Sequence, residues 1–240
     1  RYEAQQQVPF PIEEVRWDYQ VLSAASQEER DVVLVAVKNE IAEQAVGAFH
    51  QAGFRPLFLD ASVLAIYNCL MHSQGVHPGT SGMILDIGSK TTHMIVADRG
   101  ALWVRSIAVA GNHVTQGIAE ALGIGLDEAE RIKINWGKGA KEFGSDSQVK
   151  GKVADAVDKT LGRLFAEVSR SLGFYRSLYP SAVINEITLC GGGALLQGLD
   201  LAAKERFNLP VKRLDSLIGF RAAAGEQEMN LQRSKVFLAG

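Results

Sequence analysis

Cysteine is scarce: the 240 residues hold only Cys69 and Cys190, far apart and in no paired spacing. Structural zinc needs close cysteine pairs and is not expected here. One conceivable bridge is thin support for an oxidising compartment, so reduced thiols are expected. The five histidines (His50, His72, His77, His93, His113) include no pair four apart on a helix, the spacing of a metal-binding helix. Long apolar runs are missing too. None approaches the ~20 residues that span a bilayer and no signal peptide opens the chain, so direct membrane insertion is not expected. Nor does one sign of charge dominate: 25 Lys and Arg stand against 27 Asp and Glu, a formal net charge of −2. That balance excludes a nucleic-acid binder relying on massed cations, though it leaves room for a local basic patch.

What is present is an ordinary globular composition, 47% hydrophobic and 22% charged, on a chain long enough for one large domain or two smaller ones. The chain opens with Arg1-Tyr2-Glu3, without an initiator Met, and stops in the apolar run Val236 to Gly240. Both ends read as cuts.

Pro9 and Pro11 suit an extended start. Trp17 to Leu22 alternates as a half-buried strand, and the β-branched run Asp31 to Val37 predicts a more fully buried one. Asn39 is a candidate N-cap for a helix whose stripe is Ile41, Ala45, Ala48 and Phe49, ending at Gly53. Phe58 to Asp60 reads as a short strand, followed by a helix with Val63, Leu64, Tyr67, Leu70 and Met71 on its apolar face. The run from His77 to Gly82 is a loop by composition. Strands over Met83–Asp86, Thr92–Ala97 and Leu102–Val109, the last two joined at Asp98-Arg99-Gly100, form a meander. Helices are expected over His113–Leu122 and Leu126–Trp136, then a mobile glycine-rich stretch over Gly137–Ser147. The longest helix carries Val153, Val157, Leu161, Leu164, Val168, Leu172 and Tyr175 three and four apart, a core-facing stripe. A strand over Ile187–Cys190 leads through a glycine triplet to a helix over Ala194–Arg206. Strands and helices alternate throughout, so the class is α/β.

Two apolar strands run into glycine turns. In the first, Asp86-Ile87-Gly88-Ser89-Lys90-Thr91-Thr92, small residues let backbone N–H groups face a phosphate. Ser89, Thr91 and Thr92 add hydroxyls, Lys90 adds a charge, and Asp86 is placed to hold a hydrated Mg²⁺. Taken alone, the segment equally suits a tight hairpin turn. In the second, Cys190-Gly191-Gly192-Gly193-Ala194, glycines admit a flat or anionic ligand at a helix N-terminus; a plain strand-to-helix connection is the alternative. Between them, Glu130, Lys133 and Ile134 share one helical face, which by itself reads as a solvated ion pair.

The ordered set resembles the actin, Hsp70 and sugar-kinase superfamily (ASKHA), and within it the FtsA/PilM branch. There the Asp-x-Gly hairpin is the second phosphate loop, the Ala129-Glu130-x-x-Lys133 helix faces adenosine, and the glycine triplet is the adenosine loop. Asp86 to His93 is close to actin's own second loop. Val8-Pro9-Phe10-Pro11 with Trp17 to Leu22, Val33 to Lys38, Gln51-Ala52-Gly53-Phe54 with Leu59-Asp60, and Ile107 to Thr115 extend the match over roughly residues 8–214. The resemblance departs where the first phosphate loop has no counterpart, where Ser89 replaces an acid, and where Ala110-Gly111-Asn112 replaces Gly-Gly-Asp.

The resemblance implies an actin-like ATPase (ribonuclease H-like) fold with an inserted 1C subdomain. Its implied division is 1–57 as that insert, 58–80 as a remnant of subdomain 1A, 81–110 with 184–240 as 2A, and 111–183 as 2B. ATP with Mg²⁺ would be bound by Asp86, Gly88, Ser89, Lys90, Thr91, Thr92, Gly111, Glu130, Lys133, Ile134, Gly191, Gly192 and Gly193, the metal reaching Asp86 through water. Asp60 falls near a water-positioning acid of Hsp70-like relatives, and helix capping is its other reading. The implied function is a cytoplasmic assembly factor of the type IV pilus, or of a related competence or secretion platform, at the inner face of the inner membrane. Its partner would be the N-terminal cytoplasmic tail of a PilN-like protein, with other platform proteins beyond it and no nucleic acid. ATP hydrolysis would be slow at most. An FtsA-like division protein, which needs a C-terminal amphipathic helix, and a small-molecule kinase, which needs a catalytic base and a larger insert, are the competing readings; neither feature is found in the sequence.

Overall fold

The computed structural model describes residues 6–22, 32–74, 81–98, 101–136 and 147–214. The loop at 77–80, the turn at 99–100, the glycine-rich stretch 137–146 and the tail 216–233 lie outside the described residues. The chain forms two compact units, one running to Asn68 and taking in Leu102, the other comprising the remainder from Cys69 onward.

In the first unit β1 (Val15–Val21) pairs antiparallel with β2 (Val32–Lys38), Val15 opposite Lys38 and Val21 opposite Val32. Helix α1 (Asn39–Gln51) follows at once. Four expectations need correction here, the first only in part. β2 carries more half-buried residues than β1, as expected, but none of them is fully buried and Val32 is half exposed, because a two-stranded ribbon lacks the second covering layer of a wide sheet. Asn39 is not the cap. Lys38 holds that position, while the Asn39 side chain donates to the Glu13 carbonyl at 2.9 Å and ties the helix start to the segment before β1. The stripe Ile41, Ala45, Ala48 and Phe49 faces outward, and the buried residue of α1 is Ala42. Phe58 to Asp60 forms no strand; the chain is irregular until α2 (Ser62–Gln74).

The second unit is built on a five-stranded sheet ordered β5-β4-β3-β6-β7. Its strands are β3 (Gly82–Ile87), β4 (Thr92–Asp98), β5 (Ala101–Ile107), β6 (Glu186–Cys190) and β7 (Val211–Arg213). The meander is antiparallel, whereas β6 runs parallel to β3 and β7 parallel to β6. β3 is buried along almost its whole length and reads as a continuous apolar run because it is central and covered on both faces. Helices α3 (Gly111–Leu122), α4 (Leu126–Asn135) and α5 (Ser147–Leu178) lie between the meander and β6 in sequence.

The stripe read on α5 is the buried one: Val153, Val157, Leu161, Leu164, Val168, Leu172 and Tyr175 are all in the core. They join Ile118 of α3 and Met83, Leu85 and Leu189 of the sheet in one cluster. The helix expected over Ala194–Arg206 is in fact two pieces. A single 3₁₀ turn over Gly192–Leu195 comes first, then α6 (Leu199–Phe207), with Gly198 at φ +80 between them. The left-handed backbone at Gly198 ends the first turn and starts the second helix in a new direction. The glycine triplet therefore leads into one 3₁₀ turn, and an α-helix dipole does not act at its end.

Candidate functional site

Parallel pairing puts Asp86 of β3 opposite Cys190 of β6, so both strands end at the same edge of the sheet and both glycine turns leave from there. That edge, outside the carboxyl ends of parallel strands, is where open α/β sheets bind ligands. After β3 the turn closes with the Gly88 N–H donating to the Thr91 carbonyl at 3.1 Å. Among the described residues, the N–H groups of Ser89, Lys90 and Thr91 have no hydrogen-bond partner. They form a short run of free donors.

After β6 the triplet passes directly over the tip of β3. Gly191 has φ +79, and a Cβ there would lie 2.6 Å from both Asp86 Oδ1 and the Ile87 carbonyl oxygen. A Cβ on Gly193 would lie 2.3 Å from Ile87 Cγ2. Both positions are glycine because the two turns touch. Gly192, exposed and at the start of the 3₁₀ turn, is not among the positive-φ residues.

The first turn also holds α3. Its carbonyls accept the leading N–H groups of that helix, Gly111 N to Gly88 O at 2.9 Å and Asn112 N to Ser89 O at 2.8 Å. These orphan donors are thus satisfied by the loop. The Ala110 N–H donates to His113 Nδ1 at 3.2 Å. From α4, Lys133 Nζ lies 2.7 Å from Glu130 Oε2 and donates to Thr115 Oγ1 at 2.9 Å and to the Gly111 carbonyl at 3.3 Å. Thr115 Oγ1 donates in turn to Glu130 Oε2. Burial pushes the Glu130 carboxyl up, but the hydrogen bonds from Lys133 and Thr115 outweigh it and hold the carboxyl below its ordinary range. The pair is part of a four-residue network, more than a solvated i,i+3 bridge.

Gly88, Ser89, Gly111, Glu130, Lys133, Ile134, Gly192 and Gly193 line one cavity of about 490 Å³. That size suits a ligand of nucleotide or drug scale. Much of the remaining wall is apolar: Val109, Val114, Leu161, Leu164, Leu195, Leu196 and Leu199. The other expected site residues sit behind or beside it. Thr92 is fully buried, its Oγ1 donating to the Val109 carbonyl at 2.7 Å, a bond that holds the β4 start to the end of the meander. Lys90 is exposed and Thr91 half-buried in the turn. Gly191 is buried against the Asp86 carboxylate and the Ile87 carbonyl.

Asp86 is buried at the strand end, with no hydrogen bond or ion pair to its carboxylate among the described residues. Burial pushes its carboxyl up, and His93 across the β3–β4 pair lowers it by less. Asp60 belongs to the first unit, where it is exposed and its Oδ1 accepts the Ala61 N–H at 2.8 Å.

Sequence reasoning missed Thr115 and most of the apolar wall. Thr115 stands four residues after Gly111 on the buried face of α3, and a lone hydroxyl on such a face is the signal that was available. The leucines carried none: Leu161 and Leu164 belong to the same periodic stripe as the closed core.

The model of the family described as type IV pilus assembly protein PilM matches residues 1–239. The chain belongs to the PilM family. The structure of a PilM–PilN type IV pilus biogenesis complex superposes with a TM-score of 0.78 at 25% identity, covering 99% of this chain and 67% of that one. MreB5 of Spiroplasma citri bound to ADP is similar in fold, with a TM-score of 0.52 at 18% identity over 82% of this chain and 65% of that chain. The cell division protein FtsA of Neisseria meningitidis is 32% identical over 146 residues, 54% of this chain. The chain spans about a third of that relative, 35% of its length. The fold is therefore actin-like, with FtsA among the relatives of this PilM-family chain. Among the described residues no helix is long and apolar enough to cross a membrane.

Two predictions follow from the contacts at the edge. Gly193→Ala and Gly191→Ala should each lower the melting temperature, because a methyl group would overlap Ile87 or Asp86, at a cost of roughly 1–3 kcal/mol. Gly192→Val should leave it nearly unchanged, as read by thermal denaturation of the three variants. Asp86 gives the second. Its carboxyl is raised in the folded protein, so ionisation costs stability as pH rises from the ordinary carboxylate range through the raised value. Asp86→Asn should accordingly melt above the parent at neutral pH, with the difference vanishing at pH below the ordinary carboxylate range.

Proposed function

We propose that the cavity is an ATP site and that the protein is a nucleotide-binding assembly factor of the type IV pilus platform. The observation that carries this reading is the convergence of two glycine turns and the Glu130–Lys133 helix on one cavity, whose lining combines Ser89, the first of the free N–H donors, with an apolar wall. The chemistry fits the ligand. Ser89, Lys90 and Thr91 offer donors to phosphate oxygens, and Gly88 keeps the approach unobstructed. Glu130, held in register by Lys133 and Thr115, presents an acceptor for sugar hydroxyls, while Ile134, Gly111 and Gly193 enclose the nucleoside. Gly192 and Gly193 offer a flat edge to the base.

Asp86 would hold Mg²⁺ through water. Among the described residues no group of three or more His, Cys, Asp and Glu is arranged to hold a metal, so the cation would rely on this carboxylate, water and phosphate. The buried carboxylate with no cationic partner suits that task, because a cation would supply the missing counter-charge. Any hydrolysis is slow.

Membership of the PilM family and likeness to the PilM–PilN structure support the remainder of the reading: recruitment of the N-terminal segment of a PilN-like inner-membrane protein, at the cytoplasmic face, with other platform proteins beyond it. Nucleotide state would set the cavity's closure and so the grip on that partner.

The test is binding of a fluorescent ATP analogue with Mg²⁺, with melting curves recorded for each variant. Asp86→Ala and Gly192→Val should abolish binding while the protein stays folded. Lys90→Ala, which removes a flexible surface charge worth under ~1 kcal/mol, should bind almost as the parent does. Folded Asp86→Ala and Gly192→Val proteins that bind normally would overturn the nucleotide reading.

A further inference from the structure

A second concave surface lies between α3 and α5 and shares only Thr160 with the cavity described above. Its floor is made of small residues. Gly117 of α3 faces Ala156 and Thr160 of α5, and a Cβ added to it would meet Thr160 Oγ1 at 3.5 Å and Ala156 Cβ at 3.6 Å. The helices therefore approach closely there, and the long side chains on either side stand up as walls.

Those walls are charged. Lys152, Lys159 and Arg163 of α5 rise on one side, with Asp155 among them and Glu120 of α3 opposite. Positions 152, 159 and 163 recur along one helical face, so the three cations span ~16 Å of groove at 1.5 Å per residue. None of these five charged side chains makes an ion pair among the described residues. That includes Asp155 and Lys159, four apart on the helix, a spacing at which opposite charges ordinarily meet. α5 as a whole carries Lys150, Lys152, Lys159, Arg163, Arg170 and Arg176 against Asp155, Asp158 and Glu167, a positive helix on a chain whose formal charge is −2.

We infer that this groove is a docking surface for an extended acidic segment of a partner protein, lying along α5 with its carboxylates on Lys152, Lys159 and Arg163. The concave volume of about 510 Å³ and the small-residue floor suit a peptide backbone, and the spread of cations over three helical turns suits several spaced carboxylates better than one compact anion. This inference does not depend on the nucleotide reading, because none of the three cations lines the ATP cavity. It assigns partner binding to a face of the protein formed by the 2B-type helices.

The test uses a fluorescein-labelled ten-residue peptide of alternating Glu and Ser, with a Lys-and-Ser peptide of the same length as the opposite-charge probe. Fluorescence anisotropy at low salt should show saturable binding of the acidic peptide only. The double variant Lys159→Glu/Arg163→Glu should weaken it by about tenfold or more, and added salt should weaken the parent's binding. Both residues are exposed, so the variant should melt with the parent. Lys204→Glu, an exposed charge reversal on α6, should bind as the parent does. Equal weakening by Lys204→Glu would mean that net charge alone attracts the peptide and would overturn the proposal, as would undiminished binding by the double variant or no binding by the parent.

Discussion

Ile87 at the tip of β3 and the glycine triplet after β6 are in contact, and the geometry of the cavity rests on that contact. Parallel pairing of Asp86 with Cys190 brings the strand ends side by side, and the absence of side chains at Gly191 and Gly193 lets the second turn cross the first. From there the order propagates outward. The Gly88 and Ser89 carbonyls take the first N–H groups of α3, Gly111 of α3 takes a bond from Lys133 of α4, and Thr115 ties Lys133 to Glu130. A displacement of the strand tips would be felt at every polar group lining the cavity.

Asp86 shows how stability and binding pull apart at this edge. A carboxylate buried without a paired cation is a stability cost, and burial raises its protonation range as a consequence. Such a residue persists where an incoming charge relieves the cost. The neighbouring Cys190 thiol is likewise pushed up, by burial first and by the Asp86 carboxylate second, so it stays a neutral packing group. Thr92, by contrast, was expected at the phosphates and spends its hydroxyl on the Val109 carbonyl; losing such a buried bond costs ~1–3 kcal/mol.

The sheet and the long helix were legible because their apolar patterns are complete. Val153 to Tyr175 repeats at helical spacing with the core on one side, and all seven marked residues are buried. The same method failed on α1, where Ile41, Ala45, Ala48 and Phe49 make an equally regular stripe that faces outward. Periodicity identifies a face and is silent about what lies opposite. It also cannot separate a leucine in a closed core from one on a cavity wall, which is why Leu161 and Leu164 went unassigned. The glycine turns were found from their residue types, yet the break at Gly198 was missed, since a single glycine in a helical pattern does not announce a positive φ.

The account's central claim is that the free N–H groups of the Gly88–Thr91 turn receive phosphate. Amide hydrogen exchange at Ser89, Lys90 and Thr91, followed with and without ATP and Mg²⁺, tests it most directly. Exchange at these three positions should slow on addition of nucleotide, and adenosine without phosphates should leave them unchanged. Equal exchange rates with and without ATP, in protein shown to bind it, would contradict the account.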